Sequence, residues 1–156
     1  HAALRQKNFT LFTQTLLTEV MPRVQSEYRV SMKREDRAIA GLSMGGGESL
    51  LTGLNNIKTF AWIGSFSGAG INPPFTQDFP SLNAKSAARL RLLWIACGTS
   101  DRYVTSTPLI TANRQLVAWL QSNKIPVTFV QTPGMHEWPV WRNNLIHFAP
   151  LLFQKK

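Results

Sequence analysis

The sequence predicts an α/β fold, a parallel sheet of about four strands with helices on both faces, and three observations predict it. Short apolar runs at 38–40, 60–65, 90–96 and 127–130 each give way to Gly-, Ser- or Pro-containing turn sequence. Between them lie stretches whose apolar residues recur at helical spacing, and strands that alternate with helices pair in parallel through right-handed crossovers. No internal repeat interrupts the pattern, and 156 residues with 44% hydrophobic and 16% charged content read as one globular domain spanning 1–156.

Taken in order, Phe9, Phe12, Leu16, Val20 and Val24 lie three or four residues apart and predict an amphipathic helix from Phe9 to about Tyr28, with Pro22 as a kink. A polar connection carrying Glu35-Asp36 leads into Ala38-Ile39-Ala40, the first strand. Glu48 to Leu54 form a helix stopped by Gly53 and Asn55-Asn56. Phe60 to Ser65 is the second strand, unbroken in its apolarity as a strand buried on both faces is. Gly68 through Arg89, with Asn72-Pro73-Pro74 and Pro80, reads as a long loop with one short helix near 84–88, and a loop of that length can wall a substrate cleft. Leu90 to Ala96 is the third strand. Thr111 to Ser122 is a helix begun near Pro108, Val127 to Val130 the fourth strand, and Pro139 to about Phe153 the closing helix.

The bulk properties narrow the partners. A net charge of +9, from 17 basic and 8 acidic residues, favours the approach of anions. Its densest set, Arg23, Arg29, Lys33, Arg34 and Arg37, has no interleaved aromatics and reads as a solvated face, so no nucleic-acid partner is expected. No apolar run approaches the roughly 18 residues of a spanning helix, so no membrane partner is expected either. The amino end lacks both a starting Met and an apolar signal segment, which leaves the location open between secreted and cytoplasmic. The single cysteine, Cys97, reads as a small apolar residue at a strand end. Histidines at 1, 136 and 147 offer no ligand spacing, so neither a metal nor a cofactor is expected.

The chemistry concentrates after strand ends. Gly41-Leu42-Ser43-Met44-Gly45 follows the first strand and opens a helix, and a serine at such a turn projects its Oγ beyond the sheet while the glycines keep Cβ atoms away from neighbouring backbone. The Met44 backbone N–H, at the helix start, is a candidate donor to a developing oxyanion. By itself the pentapeptide is equally an ordinary strand-to-helix turn. An acyl-transfer serine needs a base, and the base needs an orienting carboxylate. Asp101 follows the third strand and His136 the fourth, and in a parallel sheet those ends share one edge with Ser43. Asp78, in the long loop, is the substitute carboxylate, and Glu137 has no assigned role. Trp138 and Trp141 either line an acyl or aromatic pocket or pack the core, whereas Trp62, Trp94 and Trp119 read as core.

Three segments, Ala38 through Gly46, Cys97-Gly98-x-x-Asp101 and Gly134-x-His136-x-Trp138-x-x-Trp141-Arg142-x-x-Leu145, together resemble the esterase D-like branch of the α/β-hydrolases, in particular feruloyl and related acetyl-xylan or enterobactin-type esterases. The resemblance covers about Phe9 to Phe153 with the motifs in family order. It implies a serine esterase with Ser43 as nucleophile, His136 as general base and Asp101 orienting the imidazole, acting through an acyl-enzyme on short-chain or aromatic esters of carbohydrate. Members usually carry several strands before the elbow, including the loop with the second oxyanion donor, and only one is predicted here. The chain is therefore expected to be the C-terminal portion of the family domain, with the elbow strand at a bare edge that invites a homo-oligomer. Two other readings stay open, a non-catalytic carbohydrate-binding or assembly remnant and an acyltransferase to a sugar acceptor.

Overall fold

A computed structural model describes residues 2–102 and 107–154. The strands are β1 (Ala38–Leu42), β2 (Trp62–Phe66), β3 (Leu92–Gly98) and β4 (Thr128–Thr132), hydrogen-bonded in that order and all parallel. The helices are α1 (Ala2–Thr15), α2 (Met21–Glu27), α3 (Met44–Asn55), α4 (Phe75–Asp78), α5 (Ala84–Ala87), α6 (Leu109–Ser122) and α7 (Trp138–Phe148). Register pairs Ile39 with Ile63 and Ile63 with Leu93, so these side chains share one face. There they pack with Leu50 and Leu54 of α3 and Leu116 and Leu120 of α6. On the opposite face Phe66, Trp94 and Ala96 pack with Val140, Trp141 and Phe148 of α7. The helix approaches closely because β2 offers Gly64, where a Cβ would lie 2.6 Å from Phe148 Cζ. The expected α/β sheet with helices on both faces is the one found.

Where the elements differ from expectation, backbone hydrogen bonding is the reason. The second and third strands start two residues after their apolar runs because Phe60 N–H bonds Asn56 O and Leu90 N–H bonds Ala87 O, so those residues close turns and lend their apolar side chains to the core. The amino-terminal helix starts at Ala2 rather than Phe9, and the kink expected at Pro22 takes the form of a π-turn over Leu16–Val20, in which Met21 N–H reaches back to Leu16 O. A proline contributes no N–H to the ladder, and a wide turn ahead of it absorbs the mismatch. The 68–89 segment holds a second short helix, α4, and buries Ile71, Phe75 and Phe79 in the core, while Ala69 and Gly70 at its start line the cleft beside Ser43. The closing helix stops at Phe148, and Pro150 lies in a 3₁₀ turn beyond it.

β1 heads the strand order, with β2 on one side and no described strand on the other. The edge is not simply bare. Phe12, Leu16 and Val24 face it across a groove of about 670 Å³ whose other wall is Ile39 and Ala40. Phe9 is 2% exposed, but Val20 is 46% and Val24 39% exposed, so the predicted apolar stripe is buried at one end and open at the other.

Candidate active site

Ser43 sits between the last residue of β1 and the first of α3 with φ 54° and ψ −123°, a left-handed conformation that costs a residue with a Cβ about 1–3 kcal/mol. The turn is held by its backbone. Ser43 N–H bonds Phe66 O on β2, and Ser43 O accepts from Gly46 N–H and Ala69 N–H. Gly41 is required by close approach, since a Cβ there would collide with Gly45 O. Gly45 is not, which corrects the sequence expectation: a Cβ on it would meet nothing within 4 Å, and the tight positions are Gly46, whose Cβ would lie 2.9 Å from Gly68 Cα, and Gly47, whose Cβ would collide with Ala69 O. Gly45 lines the groove beside β1, where no described segment packs against it. Met44 is the first residue of α3 and its side chain is exposed. An N–H at that position has no intrahelical acceptor and is free to serve an anion.

Asp101 and His136 meet because their loops touch. Ser100 N–H bonds Gly134 O and Thr99 N–H bonds Thr132 O, and a Cβ on Gly98 would lie 2.6 Å from Gly134 O. His136 Nδ1 lies 3.0 Å from Asp101 Oδ2, and His136 Nε2 lies 2.9 Å from Ser43 Oγ. A carboxylate only accepts, so Nδ1–H donates to it and neutral Nε2 is left to accept from the serine hydroxyl. Such a chain can take a proton from Oγ as it attacks a carbonyl and return it to a leaving alkoxide. Asp101 is fully buried. The Cys97 thiol donates to its Oδ2 at 3.8 Å, and burial, reinforced by the Asp101 charge, pushes that thiol up to about 12, so it remains a protonated donor.

The tryptophans separate. Trp138 is 70% exposed, while Trp141 is 9% exposed, with its Nε1 donating to Ser67 Oγ at 3.1 Å. Trp141 meets the His136 ring edge-to-face at 4.8 Å between centroids, so of the two expected pocket residues it is the one that backs the imidazole rather than facing solvent. Ser67, fully buried with φ 51°, went unnoticed in the sequence. The Ser-Gly-rich exit from β2 was its only signal. Asp78 is not the carboxylate beside His136: it is buried in α4, and that burial raises it above the usual carboxylate range. Glu137 caps the turn locally, accepting from Met135 N–H. His147 is exposed and bonds Asn143 O within α7, and His1 lies outside the described residues. Among the described residues no three His, Cys, Asp or Glu side chains gather to hold a metal ion.

A family model described as putative esterase matches residues 2–152. An acetyl esterase from Caldicellulosiruptor saccharolyticus is 25% identical over 79% of this chain and 56% of its own length. An endo-1,4-beta-xylanase/feruloyl esterase from Xylanibacter ruminicola is 24% identical over 92% of this chain and 18% of its own length. Among solved structures, a ferulic acid esterase from Anaeromyces mucronatus in complex with ferulic acid superposes with a TM-score of 0.76 at 21% identity, covering 90% of this chain and 53% of that one, which shows a shared fold. The chain thus spans 56% and 18% of the length of the two curated relatives.

Proposed function

The chain belongs to the putative esterase family, and on that premise we propose that it is a serine carboxylic ester hydrolase working through Ser43, His136 and Asp101. The observation that carries the reading is the pair of distances, 2.9 Å from Ser43 Oγ to His136 Nε2 and 3.0 Å from His136 Nδ1 to Asp101 Oδ2, across residues contributed by three different strand ends. In the proposed cycle His136 takes the hydroxyl proton as Oγ attacks the ester carbonyl, and Met44 N–H stabilises the oxyanion. The alkoxide leaves with that proton, and water, activated by the same imidazole, releases the acid from the acyl-enzyme. Short-chain or aromatic acyl esters of carbohydrate are the substrate class, supported by the acetyl and feruloyl activities named for the relatives. The exposure of Trp138 beside Trp141 supports a contact between its ring and an aromatic acyl group. The test is hydrolysis of p-nitrophenyl acetate and methyl ferulate: turnover by the wild type that Ser43→Ala abolishes supports the reading, and turnover that survives the substitution removes it.

The open edge of β1 carries the partner reading. A strand edge walled by an apolar groove of about 670 Å³ accommodates a further strand, and a second copy of this chain is the proposed occupant. Light scattering at micromolar concentration should then return a dimer or larger species, and a monodisperse monomer contradicts it.

A further inference from the structure

Arg5 is the one guanidinium set into the wall of the cleft that holds Ser43, among the residues that line it. Leu4, Asn8 and Phe9 of α1 form that wall, facing Met44, Ala69 and Gly70 across about 490 Å³. The Arg5 stem is fixed by close packing. Gly70 has φ +86°, and a Cβ on it would lie 2.9 Å from Phe9 Cζ and 3.2 Å from Arg5 Cδ. The guanidinium carbon stands 5.9 Å from the centroid of the Phe9 ring, itself 2% exposed.

The charged end keeps two donors unpaired. Arg5 Nε and Nη1 are buried and have no hydrogen-bond partner. Asp78 is the carboxylate near enough to feel Arg5, yet no ion pair within 4.0 Å joins them among the described residues. The Asp78 carboxylate instead accepts a hydrogen bond from the backbone of Asn72. A guanidinium stays charged at any working pH, and Arg5, half-buried in the cleft wall with Nε and Nη1 unpaired, is a standing attraction for an anion. The overall charge of +9 draws anions toward the molecule in the same sense.

We infer that Arg5 is a specificity-determining residue that receives a carboxylate on the part of the substrate not undergoing reaction, so that the preferred esters are anionic. The inference rests on the proposed esterase reading and narrows its substrate class, from acyl esters in general to esters bearing a carboxylate within the span of one cleft from the scissile carbonyl. Uronate-containing saccharides and half-esters of dicarboxylic acids share that chemistry.

The experiment compares p-nitrophenyl hemiglutarate with p-nitrophenyl butyrate, matched except for the carboxylate, on wild type, Arg5→Gln, Arg5→Lys and Asn8→Asp. The ratio of kcat/KM for the anionic to the neutral ester should favour the anion in the wild type and fall roughly 10- to 100-fold in Arg5→Gln, chiefly through KM. Arg5→Lys should restore part of that preference, and Asn8→Asp, which adds a carboxylate to the same wall, should lower it. A wild type without preference, or an Arg5→Gln ratio equal to the wild type's, overturns the inference. Calorimetric titration with glutarate supplies a readout free of turnover. If neither ester is cleaved, the esterase reading fails alone, and glutarate binding that disappears in Arg5→Gln still upholds Arg5; no binding by the wild type overturns it.

Discussion

Gly45 and Gly46 are neighbours in the first turn of α3, yet a Cβ on Gly46 would lie 2.9 Å from Gly68 Cα and one on Gly45 would meet nothing within 4 Å. The contrast separates two flanks of the elbow. On the closed flank β2 and the segment after it grip Ser43 through Phe66 O and Ala69 N–H, and the loops after β3 and β4 bring Asp101 and His136 into line. The open flank faces the groove between β1 and the amino-terminal helices. The hydrogen-bonded chain of Ser43, His136 and Asp101 is drawn from the closed flank. On the proposed mechanism Met44 N–H is one oxyanion donor, and each donor of that kind is worth roughly 10²–10³ in rate.

Breaking the closed flank should have the largest effect. Ser43→Ala should lower ester hydrolysis by roughly 10⁴-fold or more, read as kcat with p-nitrophenyl acetate. Asp101→Asn should cost about 10⁴-fold in kcat, because the amide can hold the imidazole in the wrong tautomer. Denaturant unfolding then compares the two flanks directly. Gly46→Ala should destabilise by about 1–3 kcal/mol, since the methyl group must displace Gly68 backbone. Gly45→Ala should gain up to about 1 kcal/mol, the helix propensity difference where space is free.

The smallest effect concerns Glu48, which lines the groove and whose carboxyl burial raises above its ordinary 4.5. A raised carboxyl binds its proton more tightly in the folded than in the unfolded chain. Its favourable contribution is therefore fully present below pH 4.5 and declines as pH rises through the folded value. Glu48→Gln should remove that decline, flattening the stability profile between acid and neutral pH. An unchanged profile would mean that Glu48 is better solvated than its place in the groove implies.

The convergence of Ser43, Asp101 and His136 was legible because it rests on local turn chemistry and a rule of topology. Ser43, Asp101 and His136 each follow an apolar run, and parallel strands deliver their exits to one edge whatever the gaps between them. Ser67 escaped because its hydrogen bond to Trp141 joins residues 74 apart, and its left-handed conformation is one that no residue type announces. Arg5 escaped for a different reason. It precedes the apolar periodicity that marked the helix, and only its packing on Gly70 sets it in the wall of the Ser43 cleft. Gly45 was misread because a motif states which residue is tolerated, whereas crowding depends on which neighbour is there.

Active-site labelling tests the central claim most directly. The protein would be treated with a fluorophosphonate and the adduct located by mass spectrometry in the wild type and in His136→Ala. The account predicts one adduct per chain, on Ser43, formed far more slowly without the imidazole. A folded protein that takes no label, or one whose labelling is indifferent to His136, would contradict it.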